Sequence, residues 1–598
     1  MTPASLKRLA MAGLVVAAGV AVAAGPASAD KEMGGHKPPP PPIPVRLLSI
    51  NDFHGNLEMP TGSGGRLADE NGVIIQGVGG AAALAAAIKQ STVRGQTDIV
   101  GAGDLIGASP LISAAYHDEP TVSILGKMGL DVSSVGNHEY DEGMAELLRI
   151  QNGGCHPVDG CSPAGKWKGA QYQYLAANVV DQRNRNPLPP IAVRKVNGVK
   201  VGYIGLVTKS TPTIVTAEGI QGLTFQDEVE AGNRASKLLS KMGVKVQVAL
   251  IHEGDSVAAF ASPDSCPLTT TIGKTIATNL DPAIDVVIMG HSHQAYICTT
   301  TDPAGQTRYF TQGSSFGRAL TQIDFQVDRK TDDVIRSSVT ADNKVVATSA
   351  AFVTNAAGTV NNGPYAGTKF ADDPTVGGLV ATAKNQVAAV ANKPIGTITA
   401  DITNSGGTSG ESPLGNLIAD SQLEATKTTA NAVIALMNIG GVRQSLTFAG
   451  STAGEGDGVV TYGEAFAVQP FNNLVQVVTL TGAQLKLILE QQYVGGPNNQ
   501  PFDKVLQPSS NLTYTVHKSA AWGSKISDIA IGGTPVTDTQ SIRVTANNFL
   551  VGGGDGFAGF TAGTDKFSGP LDIDAFAAYL TAHSPIAPPA ADEITFIP

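Results

Sequence analysis

Side chains able to bind metal or carry protons recur in this chain just where short apolar runs stop. Residues 47–50 lead into Asn51, Asp52 and His54; residues 98–103 lead into Asp104; residues 133–136 lead into Asn137, His138, Glu139 and Asp141. Residues 247–251 lead into His252, and residues 286–290 into His291 and His293. Taken singly, an Asp after a strand caps a turn and a lone His is an ordinary surface or core residue. Together, three Asp, Asn137 and five of the chain's ten His at strand ends point to one shared site, because open α/β sheets assemble their sites at the carboxyl ends of strands. In an extended chain, residues two apart point the same way, so Asp52-x-His54 and His291-x-His293 are each expected to turn both donors to one ion. Carboxylate, amide and imidazole without thiolate suit Zn, Mn, Co, Fe or Mg in an open catalytic site. Seven donors exceed one tetrahedral ion and fit two ions sharing a bridging carboxylate, a pair that activates water and neutralises phosphoryl oxygens in in-line displacement.

Those donors need elements to carry them. β-Branched runs at 45–50, 98–100, 244–251 and 284–289 alternate with Ala-rich or Leu/Lys-rich stretches at 80–90 and 229–242. The period switches between strand and helix as in layered α/β folds. Residues 373–392 read as one helix, with Pro374 near its start and Pro394 just beyond its end, and this helix is expected to join two domains. A second α/β region starts near Ile395, with a helix around 481–493 and a strand at 541–545. The expected organisation is a leader at 1–29, a Pro-rich linker at 30–44, a first domain at 45–345, a linker containing the interdomain helix at 346–394, and a second domain at 395–598.

The length of 598 residues exceeds one core, and 42% apolar against 15% charged residues excludes a disordered or fibrous chain. A net charge of -11 removes the general attraction for nucleic-acid polymers and anionic lipid. An anionic substrate must then be met locally, by metal or by a few placed cations. Lys7 and Arg8 precede an uncharged stretch at 9–29 that ends Ala27-Ser28-Ala29, which reads as a signal peptide cleaved after Ala29. No second apolar run reaches membrane-spanning length. A soluble, secreted monomer or dimer is expected, with retention at the cell envelope as the alternative. Four cysteines in an exported chain suggest two disulfides; Cys155 and Cys161 flank a turn-rich loop that could close locally, Cys266 and Cys298 remain, and three connectivities satisfy the sequence.

In chain order, Asp52-x-His54, Gly103-Asp104, Gly136-Asn137-His138-Glu139 and Gly290-His291-x-His293 resemble the signature of calcineurin-type metallophosphatases. Three later segments narrow the resemblance to secreted 5'-nucleotidases and UDP-sugar hydrolases: Asn-Ile-Gly-Gly-Val-Arg at 438–443, Gln-Pro-Phe-Asn-Asn at 469–473, and Asn-Phe-Leu-Val-Gly-Gly-Gly-Asp-Gly-Phe at 548–557. The resemblance implies an α/β fold in which a four-layer α/β/β/α metallophosphatase domain is joined by a helix to a second α/β, substrate-binding domain. It implies that Asp52, His54, Asp104 and His293 hold one divalent ion and that Asp104, Asn137, His252 and His291 hold the other, with Asp104 as the bridge and Zn, Mn, Co or Mg as the metals. His138 and Asp141 resemble the family's catalytic dyad, with the carboxylate orienting the imidazole. Phe471 and Phe549 resemble the aromatic pair that sandwiches the base, Asp555 the carboxylate for the ribose hydroxyls, and Asn473 a base-contacting amide. Arg443 resembles the phosphate clamp, with Asn438 alongside. Two departures stand out. Residues 408–416 carry none of the arginines many relatives have there, so phosphate affinity is expected to be lower or supplied elsewhere. His293 stands where several relatives have Gln or Asn, which tilts preference toward zinc-like or manganese-like ions.

The resemblance thus implies hydrolysis of extracellular nucleotides to nucleoside and phosphate by a metal-activated water, without a phosphoenzyme. The domains are expected to meet over the substrate, hinging near residues 373–392. UDP-sugars, 2',3'-cyclic phosphodiesters and nucleoside polyphosphates are alternative substrates of the same site. A catalytically inactive nucleotide-binding surface protein is the alternative from another class, and the complete donor set argues against it.

Overall fold

A computed structural model describes residues 40–215, 219–258, 260–356, 358–449, 454–500 and 502–597. The leader at 1–29 and most of the Pro-rich linker lie outside these residues.

Two six-stranded sheets form the middle of the first half. In the first, strands run in the order Thr340–Val345, Ala319–Val327, Ile43–Ile50, Thr97–Ala102, Val132–Ser134, Gln173–Leu175. In the second the order is Ala295–Thr301, Thr307–Gly313, Val286–Met289, Val246–His252, Val199–Val207, Ile191–Val196. The central strands of each sheet are parallel, so their carboxyl ends share an edge. Strand Ile43–Ile50 is apolar on both faces because both are covered. Val45 and Leu47 meet Val248, Leu250 and Val286 of the other sheet, while Leu48 and Ile50 meet Ala83, Leu84 and Ala87 of helix Ala81–Ser91. On the far face of the second sheet, Ile204, Ala249 and Ile251 pack on Ala231 and Ala235 of helix Glu228–Lys241. The layers are therefore helix, sheet, sheet, helix. Each fully buried Leu here contributes roughly 1.5–3 kcal/mol, and truncating one to Ala costs about 2–5 kcal/mol.

The predicted linking helix is observed as Pro374–Ala391. Asp373 caps it by accepting from the amides of Thr375 and Val376 at 2.9 and 3.1 Å, with Pro374 in the first turn, where its missing N–H costs nothing. Val376, Ala383 and Val387 belong to the first core, and Ala391 packs against a core of the second region. That region carries a five-stranded sheet, in the order Leu506–Pro508, Ile434–Asn438, Ser541–Asn547, Leu474–Thr481, Thr564–Leu571, and a separate four-stranded sheet. The helix expected at 481–493 is shorter, Gly482–Glu490, beginning at a capping box between Thr481 and Gln484. The strand expected at 541–545 continues to Asn547, whose side chain accepts from the Leu550 amide and starts the next helix.

Of the three cysteine pairings, the structure has Cys155–Cys161 and Cys266–Cys298. Among the described residues, no helix is long and apolar enough to cross a membrane.

Candidate active site

All five donor-bearing segments leave the two sheets at the shared edge. Asp52, His54 and His293 converge, as do Asp104, His252 and His291; within each set, the ligand atoms lie within 4.8 Å of one another. The two sets adjoin. His54 Nε2 is 3.0 Å from His293 Nε2 and 3.6 Å from Asp104 Oδ2, which is 2.9 Å from His252 Nε2. Asp104 Oδ2 thus stands between an imidazole of each set, the place of a bridging ligand.

Two details correct the sequence reading. The Asp52-x-His54 segment is not extended: its donors have φ of 49° and 46°, and Asp104, His291 and His293 are also left-handed. Each such residue costs about 1–2 kcal/mol for an L side chain, and here the strain folds the chain back over the strand ends. His291 and His293 divide between the two sets, against the expectation from their spacing and as the family resemblance implied. Close packing forces glycine beside them. A Cβ on Gly103, at φ 81°, would lie 2.6 Å from His252 Nδ1, and one on Gly290 would lie 2.6 Å from the Ala102 carbonyl.

The donor chemistry fits divalent cations. His54 Nδ1 donates to the Gly107 carbonyl and His252 Nδ1 to the Ala102 carbonyl, each at 2.8 Å, so both rings aim Nε2 inward, the backbone-oriented pattern of metal-ligating His. His252 Nε2, though close to Asp104, makes no well-aligned hydrogen bond, and the Asn137 Oδ1 atom is buried without a donor. Orphaned buried acceptors are rare and costly. Burial pushes the Asp52 carboxyl up to about 7 and the His54 imidazole down to about 3. Burial also lowers His252, but Asp104 and Asp52 outweigh it and take that imidazole up to about 10. A cluster of two buried carboxylates and four imidazoles, two of them fully buried, finds its simplest neutralisation in cations.

His138 and Asp141 form the expected pair. A single 3-10 turn, His138–Tyr140, brings His138 Nδ1 to 2.8 Å from Asp141 Oδ2. Burial lowers the imidazole, but Asp141 and Asp104 hold it above its ordinary value. The His138 amide donates to Asp104 Oδ1 at 2.9 Å, tying the pair to the metal cradle. Glu139 was quoted in the sequence motif without a role. Its buried carboxylate accepts from the amides of Asp104, Leu105 and Gly136 at 2.9, 2.8 and 2.5 Å, and burial pushes it up to about 7. Asn51 was likewise given no role; it donates to Asp52 Oδ2 at 2.6 Å and accepts from the Gly313 amide at 2.9 Å.

One cleft of about 1150 Å³ joins this edge to the second region. Asp104, Asn137, His138, Asp141, His291 and His293 line it from one side; Asn438, Arg443, Phe471, Asn473, Phe549 and Asp555 line it from the other. Asp52, His54 and His252 lie beneath. Asn438 does not stand free beside Arg443: it accepts from Asn547 at 2.9 Å and donates to Asp555 Oδ2 at 3.0 Å. Lys504, missed in the sequence for want of any motif, donates to Asp555 Oδ1 at 3.0 Å. Arg443 lies over Phe471, its Cζ 5.6 Å from the ring centre.

Two adjoining sets of metal-type donors beside a histidine–carboxylate pair are the pattern of a metallophosphoesterase, and the sequence matches the calcineurin-like phosphoesterase family over residues 45–295. Residues 387–562 match the 5'-nucleotidase C-terminal domain. The chain belongs to the family in which these two domains are joined. It is 32% identical over 552 residues to a cell wall protein of Listeria monocytogenes, covering 87% of this chain and 64% of that one. With an endonuclease of Bacillus subtilis it shares 28% over 571 residues, 94% of this chain and 42% of the other. The chain therefore spans less than two thirds of either relative. The 5'-nucleotidase precursor from Thermus thermophilus has the same fold, with a TM-score of 0.69 at 23% identity over 93% of this chain and 99% of that one.

Proposed function

We propose that the protein is an exported, metal-dependent 5'-nucleotidase that releases phosphate from nucleotides. The observation supporting this reading most strongly is the single cleft with cation ligands and the His138–Asp141 pair on one wall and Arg443, Phe471, Phe549 and Asp555 on the other. In this reading Asp52, His54, Asp104 and His293 hold one ion, and Asp104, Asn137, His252 and His291 the other. Bound there, the pair supplies Lewis-acid polarisation of the phosphoryl oxygens and an activated water at neutral pH.

The chain's own residues do the rest. Asp141 fixes the proton on His138 Nδ1 and leaves Nε2 to donate to charge developing on the phosphoryl group or leaving oxygen. Arg443 clamps the phosphate through its planar fork. Phe471 and Phe549 take the base, Asn473 contacts it, and Asp555, held between Lys504 and Asn438, accepts the ribose hydroxyls. Because residues 408–416 bring no arginine, Arg443 and Lys384 are the cations lining the cleft, a complement suited to a monophosphate. The first domain is read as 45–345 and the second as 395–598. Export rests on Lys7, Arg8 and the apolar stretch ending at Ala29; the cell wall relative supports an extracellular location.

The test is AMP hydrolysis by the purified protein before and after exhaustive chelation, with metal restored afterwards. Activity should vanish and return; undiminished turnover in the stripped protein sinks the proposal. A parallel panel of UDP-glucose, 2',3'-cyclic AMP and ATP separates a nucleotidase from its nearest alternatives.

A further inference from the structure

A second cluster of metal-type side chains lies apart from the cleft's donor sets. His156 and Asp159 sit on the loop closed by Cys155–Cys161, whose Cα atoms are 4.4 Å apart. The loop is further pinned by the reciprocal hydrogen bonds of His156 N to Gly160 O and Gly160 N to His156 O, at 2.9 and 3.0 Å. His117, at φ 50°, comes to this loop from the turn before helix Glu119–Lys127. Its ring stacks on that of His156, with centroids 3.8 Å apart and planes 18° from parallel. Stacked imidazoles present their nitrogens side by side. His117 Nε2 and His156 Nδ1 lie 3.0 and 3.1 Å from the same atom, Asp159 Oδ2.

We infer that His117 Nε2, His156 Nδ1 and Asp159 Oδ2 form a further binding site for a borderline divalent cation of the zinc type. Three features support the assignment. First, donors around a tetrahedral zinc with bonds of about 2.0–2.1 Å lie roughly 3.3 Å apart, close to the spacing already present. Second, the Asp159 amide donates to His156 Nδ1 at 3.1 Å, so this nitrogen is unprotonated, and a cation would displace that amide from its lone pair. Third, the outer nitrogen of His117 is oriented: Nδ1 lies 2.6 Å from Glu142 Oε2, the carboxylate–histidine–metal arrangement that fixes a ligating tautomer. The neighbouring trio of His117, Glu142 and Glu146 is the poorer choice, because Arg149 already neutralises Glu146 with hydrogen bonds of 2.6 to 3.0 Å. An entering cation competes with a proton on His117, whose ring nitrogens lie against Glu142 and Asp159. Water completes the coordination, since Asp159 is largely exposed.

The probe is zinc itself. Full-length protein is stripped, dialysed against buffered zinc and analysed for bound metal, alongside His156→Ala and Asp159→Asn. The wild type should retain one additional zinc over either variant, while all three hydrolyse AMP at the same rate. Crystals of the zinc-loaded wild type should show an anomalous peak between His117, His156 and Asp159. Equal zinc counts in wild type and folded variants overturn the inference. Should the variants not fold, the wild-type anomalous map decides it, and no peak at that position overturns it.

Discussion

The Phe471 ring lies against the His138 imidazole, centroids 5.8 Å apart and planes 24° from parallel. An aromatic from the second domain thus covers the His138 imidazole of the first, and Arg443 packs against the same aromatic.

This contact sets a competition a nucleobase should win. An aromatic pair is worth about 0.5–1.5 kcal/mol beyond its buried area, whereas base stacking on a protein aromatic is worth about 1–3 kcal/mol. Phe471→Ala should raise KM for AMP by about tenfold, equivalent to about 1.4 kcal/mol, and leave KM for ribose 5-phosphate nearly unchanged. Equal effects on both substrates would remove Phe471 from base recognition.

His138→Ala should lower kcat by about 10²–10⁴-fold, the range for a lost general acid–base group, with metal content intact. Asp141→Asn should fall less far and shift the pH profile, because it disturbs only the orientation and charge of the imidazole. A His138→Ala enzyme with wild-type turnover refutes the dyad.

Glu139 reaches no cation in the proposed scheme, yet it ties the Asp104 turn to Gly136. Its removal leaves several buried amides unpaired at about 1–3 kcal/mol each. Glu139→Ala should therefore destabilise the fold by about 2–4 kcal/mol and reduce metal retention. Thermal unfolding of metal-loaded and stripped protein measures both, and an unchanged melting temperature contradicts the role.

Stability should depend on pH through a pair outside the cleft's lining. Glu411 is 2% exposed and stands beside Glu593; Asn416 Nδ2 donates to both carboxyls, at 2.9 and 2.6 Å. Burial, then the proton shared with Glu593, pushes Glu411 up to about 7 from an ordinary 4.5. A raised folded-state value means that the folded protein holds a proton the unfolded chain has released. The resulting stability is full below pH about 4.5 and is lost as pH rises through about 7. Glu411→Gln, which mimics the protonated form, should lose less stability than wild type between pH 5 and 8, by about 2 kcal/mol. Parallel denaturation curves across that range would refute the shared proton.

Much of the cation edge is legible in the sequence because each donor directly follows a β-branched run, so local period and residue type locate it together. The side on which a donor emerges is not legible. Asp52 and His54 share one donor set, as their spacing suggested, but through left-handed backbone rather than an extended chain, whereas His291 and His293, at the same spacing, divide between the two sets. Glu139 was within a motif, but its partner amides at Asp104 and Leu105 are more than thirty positions away and come near only through parallel strand pairing. The His117 cluster draws on three separated segments and leaves no pattern along the chain.

The order of residues alone determined the α/β alternation, the linking helix and the inventory of donors, since these depend on neighbours in the chain. Tertiary structure decided which donors share a cation site, which cysteines pair, and that Phe471 meets His138. Those relationships follow from strand order, register and the meeting of two domains, where contacts form between residues that no local propensity connects.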